Sequence, residues 1–341
     1  MKVTLKDIAR ETGYSISTVS RVLTDSGKIS GKTRDEVLSA ARRLNYPFTG
    51  FRSFHLNSDN LNIALISDFR EGEFYASCFF GFLAAARSEK VRISLLSIAN
   101  PRDELQAFLA ELISENYYDG FILFLPDLER TNYLHLLEII PEHFPVVSNA
   151  MIENPVFSTI TFDGYSGGHQ AASLFYDRGY RNVGIIKGPP ERADGRFRFN
   201  GFRDFINSKK DMDLIWECEG DYTFESGVRA YELLSQSGKQ PEAVFISNDL
   251  MAKAFIDTAR SNNVHIPGDM AVLGFDDLPM SRHSKPAISS IRTDFERLAT
   301  ATFRIIKNQI EHKAPQQGTI SLIPVTISER DSTDVRKSKT A

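Results

Sequence analysis

Along the first 45 residues the large apolar side chains recur at helical spacing. Leu5, Ile8 and Ala9 form one stripe. Thr4 precedes it with Asp7 three residues on, the spacing of a capping box with Asp in place of Glu. Gly13 ends that helix and Ser15 caps the next. At about 100° per residue, Ile16, Val19, Val22 and Leu23 fall on one side of the second helix. Ser17, Ser20, Arg21 and Thr24 fall on the other. A third helix follows "DSGKI", capped by Ser30, with Val37, Leu38, Ala41 and Leu44 on its apolar face. Three short helices with a tight glycine turn between the first two predict a helix-turn-helix domain. The side of the second helix that carries hydroxyls and one arginine, and no carboxylate, suits a DNA groove. There Ser and Thr reach base edges or phosphates, Arg reaches guanine or phosphate, and an acid would be repelled.

From residue 61 the pattern changes to short apolar runs separated by helix-length amphipathic stretches. The runs "NIALIS" (62–67), "RISLLS" (92–97), "GFILFL" (120–125) and "FPVVS" (144–148) predict buried strands. Helices are expected near 74–89, 102–116 and 131–140. The cycle restarts with "STITF" (158–162), "NVGIIK" (182–187), "LIWECE" (214–219), "AVFIS" (243–247) and "MAVLGF" (270–275). Such alternation means parallel sheets covered on both faces by helices. Two successive series predict two α/β lobes. Ligands sit beyond the carboxyl ends of such strands, so two facing lobes would enclose one between them.

Charge sharpens this division. Of 341 residues, the first 60 hold ten Lys/Arg against six Asp/Glu, while the remainder carries a net −8. A basic head on an acidic body fits a polyanion-binding module joined to something else. No apolar run of about 18 residues occurs, and polar residues interrupt any leader-like stretch in "MKVTLKDIARETG". The expected location is the cytoplasm, with no membrane partner. The two cysteines, Cys78 and Cys218, form no C-x-x-C pair and are expected as buried free thiols. The seven histidines show no i,i+4 pair, so neither a metal nor a cofactor is expected.

"VTLKDIARETGYSISTVSRVL" (3–23) resembles the N-terminus of the LacI/GalR family of bacterial transcription regulators. The likeness continues through "GPPERADGRFRFNGF", "ISNDLMA", "IPGDMAVLGFDDLPMSRHSKPAISSIRTDF" and "LIPVTISERDST", and so spans nearly the whole chain. It implies an all-α helix-turn-helix head (1–46) and a hinge (47–60). The body (61–330) would be an α/β, two-lobed, periplasmic-binding-protein-like unit with parallel sheets. One lobe is expected from 61–161 with 293–320 and the other from 162–292 with 321–330, followed by a flexible tail (331–341). It further implies a homodimer on an operator in double-stranded DNA, controlled by a small-molecule effector. With no heptad repeat after Arg330, no tetramer-forming coiled coil is expected.

By this resemblance Ile16 and Ser17 set base preference, and Thr18, Ser20 and Arg21 make general contacts. Thr4, Ser15 and Thr24 border the same face, and Lys28, Lys32, Arg34 and Arg52 add phosphate contacts. The hinge departs from the family's N-x-x-A-R-x-L. "FRSF" keeps Arg52 and places Phe54 where a leucine wedges into the minor groove, a role phenylalanine also fills. For the effector, Arg198 matches an arginine that holds a hydroxyl pair or carboxylate. Asn248 and Asp276 match hydrogen-bonding positions, and Tyr222 a stacking aromatic. Phe74, Tyr75, Phe162 and Phe295 fall at wall positions, and Asp194 lies near the mouth with Arg192 and Arg196. Phe124 stands where a polar group is common, and the Asn149–Ala150 pair where an aspartate is. The pocket is therefore expected to be less polar in the first lobe. A sugar or sugar derivative is the expected effector, with a purine as the alternative.

"GYSGG" (164–168) matches the G-x-S-x-G nucleophile elbow, and Asp276 and His283 lie downstream in Ser–Asp–His order. This is the α/β-hydrolase-like alternative, with Ser166 as nucleophile. The chain lacks an HGGG-like oxyanion segment, and a basic head has no place in a hydrolase. A periplasmic receptor would share the body but not the head or the polar N-terminus. "GKT" (31–33) lacks the first glycine of a P-loop and belongs to the third helix.

Overall fold

A computed structural model describes residues 3–23, 29–44, 46, 60–115, 117–312 and 315–334. In the head, α1 (Leu5–Thr12), α2 (Ile16–Leu23) and α3 (Gly31–Arg43) pack around Ile8, Val19, Val22, Val37, Leu38 and Ala41. Asp7 accepts the Thr4 backbone N–H at 2.9 Å and its hydroxyl at 2.7 Å, closing the expected box. Gly13 turns the chain with φ 74°, a conformation that costs glycine little. Ser15 and Ser30 cap α2 and α3, accepting from Thr18 N at 3.1 Å and Thr33 N at 3.2 Å. Glu11 and Arg43, 2.9 Å apart, join α1 to α3.

The body contains two six-stranded sheets. The first comprises β1 (Leu61–Ser67), β2 (Val91–Ser97), β3 (Gly120–Phe124), β4 (Val146–Ser148), β5 (Ser158–Phe162) and β11 (Ile320–Ile323). Their order is β11-β5-β4-β3-β1-β2, all parallel. The second comprises β6 (Asn182–Lys187), β7 (Asp213–Glu219), β8 (Ala243–Ile246), β9 (Ala271–Asp276), β10 (Ser289–Arg292) and β12 (Thr326–Ser328). Their order is β12-β10-β9-β8-β6-β7, with only β12 antiparallel. The helices α4 (Glu73–Ser88), α5 (Pro101–Glu115), α6 (Arg130–Leu136) and α12 (Phe295–His312) cover the first sheet. The second is covered by α7 (Gly164–Asp177), α8 (Ala193–Asn207), α9 (Phe224–Gln236) and α10 (Asp249–Ser261), with the short α11 (Pro279–His283) after β9. The central strands are almost wholly apolar because both faces are buried. The chain passes between the lobes three times, after β5, after β10 and between β11 and β12.

Three expectations need correction. Ile16 is not part of the head's apolar face: it is 45 % exposed, and on α2 the core begins only at Val19. The lobe boundary falls after Ile323, since the whole of β11 pairs with β5. The chain is also not a free tail from 331. Asp331–Thr333 form a 3-10 turn whose Ser332 hydroxyl donates to Val272 O at 2.6 Å and accepts Ser289 N at 2.8 Å. Both cysteines are free, Cys78 buried and Cys218 only half-buried. No helix among the described residues is long and apolar enough to cross a membrane.

Candidate functional site

Two surfaces bring chemistry together. On the head, Ile16, Ser17 and Arg21 are exposed on α2, and Ser15 and Thr4 are exposed at the caps. Thr18 and Ser20 are half-buried. The hydroxyls of Ser15, Ser17 and Thr18 form a linked set, Ser15 lying 2.8 Å from each of the others. Such hydroxyls can exchange these local bonds for phosphate or base acceptors. The exposed Ile16 side chain is suited to a thymine methyl. Lys32 and Arg34 lie in the first turn of α3. Thr24, Lys28, Arg52 and Phe54 lie outside the described residues.

The second surface is a cavity of about 350 Å³ between the lobes. Phe74, Phe124, Phe162, Asp194, Arg198 and Phe295 line it, as the sequence led one to expect. On the first-lobe side the phenyl rings touch one another. Phe74 stacks on Phe124 with centroids 5.8 Å apart, and Phe295 stands edge-on to Phe74 at 5.3 Å and to Phe162 at 5.4 Å. Tyr75 lies behind this wall, 6.2 Å from Phe124, and burial pushes its hydroxyl up to about 12. Asn149 lines the cavity too, but its amide donates to Ile160 O at 2.8 Å and Thr302 Oγ1 at 2.9 Å.

The polar side comes from the second lobe. Arg192, at the N-terminus of α8, pairs with Asp194 at 3.0 Å and reaches Asp127 of the first lobe at 3.7 Å. Arg198, two turns along α8 from Arg192, lies 3.6 Å from Asp194 and 3.8 Å from Asp276. Its guanidinium carbon stands 3.8 Å from the Phe275 ring centre, a cation–π contact. Tyr222 donates its hydroxyl to Asp194 at 3.2 Å. Burial would raise Asp194, but Arg192 and Arg198 outweigh it and hold the carboxyl below its ordinary value. Asp276 goes the other way: burial raises it well above the usual range, against the pull of Arg198. Arg198 Nε and Asp276 Oδ1 are buried without a hydrogen-bond partner among the described residues. Buried polar atoms are rarely left unpaired, and of these two residues Arg198 lines the cavity, so its free Nε–H is available to a ligand. Asp276 (φ 112°) and Tyr222 (φ 67°) also adopt left-handed backbone, a strain that concentrates at binding sites.

Asn248 is placed differently from expectation. Its side chain caps α10 by accepting from Met251 N at 2.9 Å and donates to Tyr222 O at 3.0 Å, holding that loop rather than facing the cavity. Tyr222, Asp276 and Tyr75 likewise stand behind the lining. Phe197 and Phe275 line the cavity without having been singled out. Phe275 was readable as the last apolar residue of its strand, immediately before Asp276.

The glycines of "GYSGG" serve helix packing. A Cβ on Gly168 would lie 1.9 Å from Arg198 O, and one on Gly201 would lie 1.9 Å from Tyr165 O, so α7 and α8 meet backbone to backbone. Ser166 Oγ accepts from the Gln170 amide at 3.0 Å, and no histidine is among its hydrogen-bond partners in the described residues. No group of three or more His, Cys, Asp or Glu able to hold a metal occurs among the described residues.

Comparison with known proteins gives two family matches. Residues 4–47 match the bacterial regulatory proteins of the lacI family, and residues 172–333 match a periplasmic binding protein-like domain. The chain thus joins a head of the lacI regulatory-protein type to a periplasmic binding protein-like domain. Among its relatives is the HTH-type transcriptional repressor PurR of Proteus mirabilis (strain HI4320), 27 % identical over 337 residues and covering 97 % of each chain. The transcriptional regulator CelR in complex with cellobiose superposes with a TM-score of 0.68 at 25 % identity, covering 97 % of this chain and 100 % of that one. The Lac repressor dimer bound to operator and the anti-inducer ONPF shares the fold, with a TM-score of 0.71 at 21 % identity over 98 % of this chain and 99 % of that one.

Proposed function

We propose that this chain is a sequence-specific DNA-binding transcriptional regulator, acting as a repressor, whose operator affinity is set by a small molecule in the inter-lobe cavity. One observation carries the reading: a head with an acid-free, hydroxyl-rich helix face is joined to a two-lobed body whose cleft is lined by the buried Arg198, its Nε without a partner among the described residues. The α2 face supplies Ile16 and Ser17 for base reading, with Thr18, Ser20 and Arg21 for register and phosphate contact. Effector binding draws the lobes together and changes how two copies present their heads. The exposed Phe80 on α4 (67 % exposed) and Leu95 on the adjacent edge strand β2 are the apolar surface that a second copy would bury.

The favoured effector is a sugar or sugar derivative, whose C–H faces pack on phenyl rings while hydroxyls meet Arg198 and Asp194. A purine is the second reading, and the relative named PurR favours it. No catalytic step is assigned, and the site of action is the bacterial cytoplasm. Operator-fragment retention by the full chain, measured with and without candidate sugars and purines, tests the proposal. Retention that changes with a sugar supports it, and a response to purines alone selects the second reading.

A further inference from the structure

Another cavity, of about 380 Å³, lies at the far end of the second sheet. It is bounded by the last turns of α10 and by the loops that lead into β9 and β10. Those two strands run parallel, so both loops stand at their amino ends, whereas the inter-lobe cavity is lined by Phe275 near the carboxyl end of β9. Ile256, Val264, Ile266 and Pro286 make the wall apolar, and Ile256 is fully buried. Arg260, His265 and Lys285 stand exposed at the rim. Neither Arg260 nor Lys285 has an ion-pair partner among the described residues. The adjoining acids are engaged elsewhere: Asp257 with Lys253, Asp269 with the His265 N–H at 2.8 Å, and Asp331 with the Ala287 N–H at 3.4 Å. The carbonyl end of α10 is also capped. Thr258 O accepts the Asn262 amide at 2.8 Å, and Ala259 O accepts the Val264 N–H at 3.0 Å. The negative pole of the helix is thereby answered locally, and the rim keeps its excess of positive charge.

An inorganic anion would meet this rim but leave the apolar wall to water. An uncharged apolar compound would cover the wall but gain nothing from the two cations. We infer that this cavity is a second ligand site, which takes a small organic anion: its carboxylate or phosphate head meets Arg260 and Lys285, and its alkyl or aryl body packs on Ile256, Val264 and Ile266. Charge-assisted hydrogen bonds hold the head, and the His265 imidazole offers one more N–H. The volume lies at the small end of small-molecule sites, which limits the body to about one ring or a short chain. This site stands apart from the inter-lobe cavity and does not depend on what that cavity binds.

The test is isothermal titration calorimetry on the full chain. The probes are benzoate, hexanoate and phenyl phosphate, beside benzyl alcohol as an uncharged match and inorganic phosphate as a head without a body. The expected result is at least one of the three organic anions bound at least tenfold more tightly than both controls. Its affinity should fall at least tenfold in the double variant Arg260→Gln, Lys285→Gln. The charge-keeping pair Arg260→Lys, Lys285→Arg should stay within threefold of the wild type, which separates loss of charge from loss of fold. A preference for carboxylates or for phenyl phosphate identifies the head. Affinity unchanged in the glutamine variant places the anion elsewhere and overturns the inference. So does binding no tighter than that of benzyl alcohol or inorganic phosphate, and so does silence from all three anions.

Discussion

Gly168 on α7 lies directly against the backbone of Arg198 on α8: a Cβ built on the glycine would meet the arginine's carbonyl oxygen at 1.9 Å. The contact joins a packing requirement to the binding site, because the same turn of α8 carries the guanidinium that faces Asp276. A Gly168→Ala chain must separate the two helices. The expected cost is about 1–3 kcal/mol, typical of an overpacked core, together with weaker effector binding as Arg198 moves. Thermal unfolding and calorimetry check both, and unchanged values in each would contradict the account.

Two ion pairs span the mouth of the cleft, Asp127 with Arg192 at 3.7 Å and Glu153 with Arg196 at 2.9 Å. Both acids are well exposed, so their loss should change stability by less than about 1 kcal/mol. They should nevertheless bias the lobes toward closure. The double variant Asp127→Asn, Glu153→Gln is expected to show a larger radius of gyration in small-angle scattering without effector. Wild-type protein at high salt should move the same way. Identical scattering in all three samples would show that the pairs hold nothing shut.

Asp249 is fully buried in the first turn of α10, where it accepts Ser290 Oγ at 2.6 Å and Leu278 N at 2.8 Å. Burial outweighs these bonds and raises its pKa to about 7, against about 3.9 for an unfolded aspartate. The folded value is the higher, so the folded state binds more protons between the two. Its contribution to stability is full below about pH 4 and lost as the pH rises through about 7. Relative to Asp249→Asn, the wild type should lose stability steadily across that window in denaturant titrations. Parallel curves for the two proteins would refute the assignment.

On the head, Arg21→Ala should weaken binding to all DNA sequences alike and lower the salt dependence of affinity by about one counterion. Substitution of Ser17 should instead change which bases are preferred, with little change in salt slope. Fluorescence anisotropy on a base-substituted operator series at several salt concentrations separates the two. A sequence-selective effect from Arg21, or a uniform one from Ser17, would reverse the roles given to them.

Much of this architecture could be read from the chain. Runs such as "NIALIS" and "AVFIS" are strands because a doubly covered parallel sheet wants apolar residues on both faces, and β1 and β8 lie within a residue of those spans. Capping residues located the head helices equally well, as Thr4 and Ser15 show. What escaped was burial of polar residues. β10 begins with Ser289 and Ser290, both fully buried, and no apolar run announces it. Their hydroxyls are matched at a distance in sequence, Ser290 to Asp249 and Ser289 to Thr333. The docking of Ser332 under β9 and β10 escaped for the same reason. At the cavity, residue types located Arg198 and the phenyl wall. Only the fold shows that Asn248 is committed to Tyr222 O and Met251 N, or that Arg192 reaches across to Asp127.

The central claim is that occupancy of the cleft and grip on DNA are coupled in one molecule. Its most direct measurement is the affinity of the full chain for a fragment selected from genomic DNA over non-specific competitor, with and without the ligand that the series of sugars and purines identifies. The account predicts selective retention, with affinity changed about 5- to 150-fold by the ligand and ligand affinity changed by the same factor when DNA is bound. A protein that retains no fragment over competitor, or whose DNA and ligand affinities are independent, would contradict it.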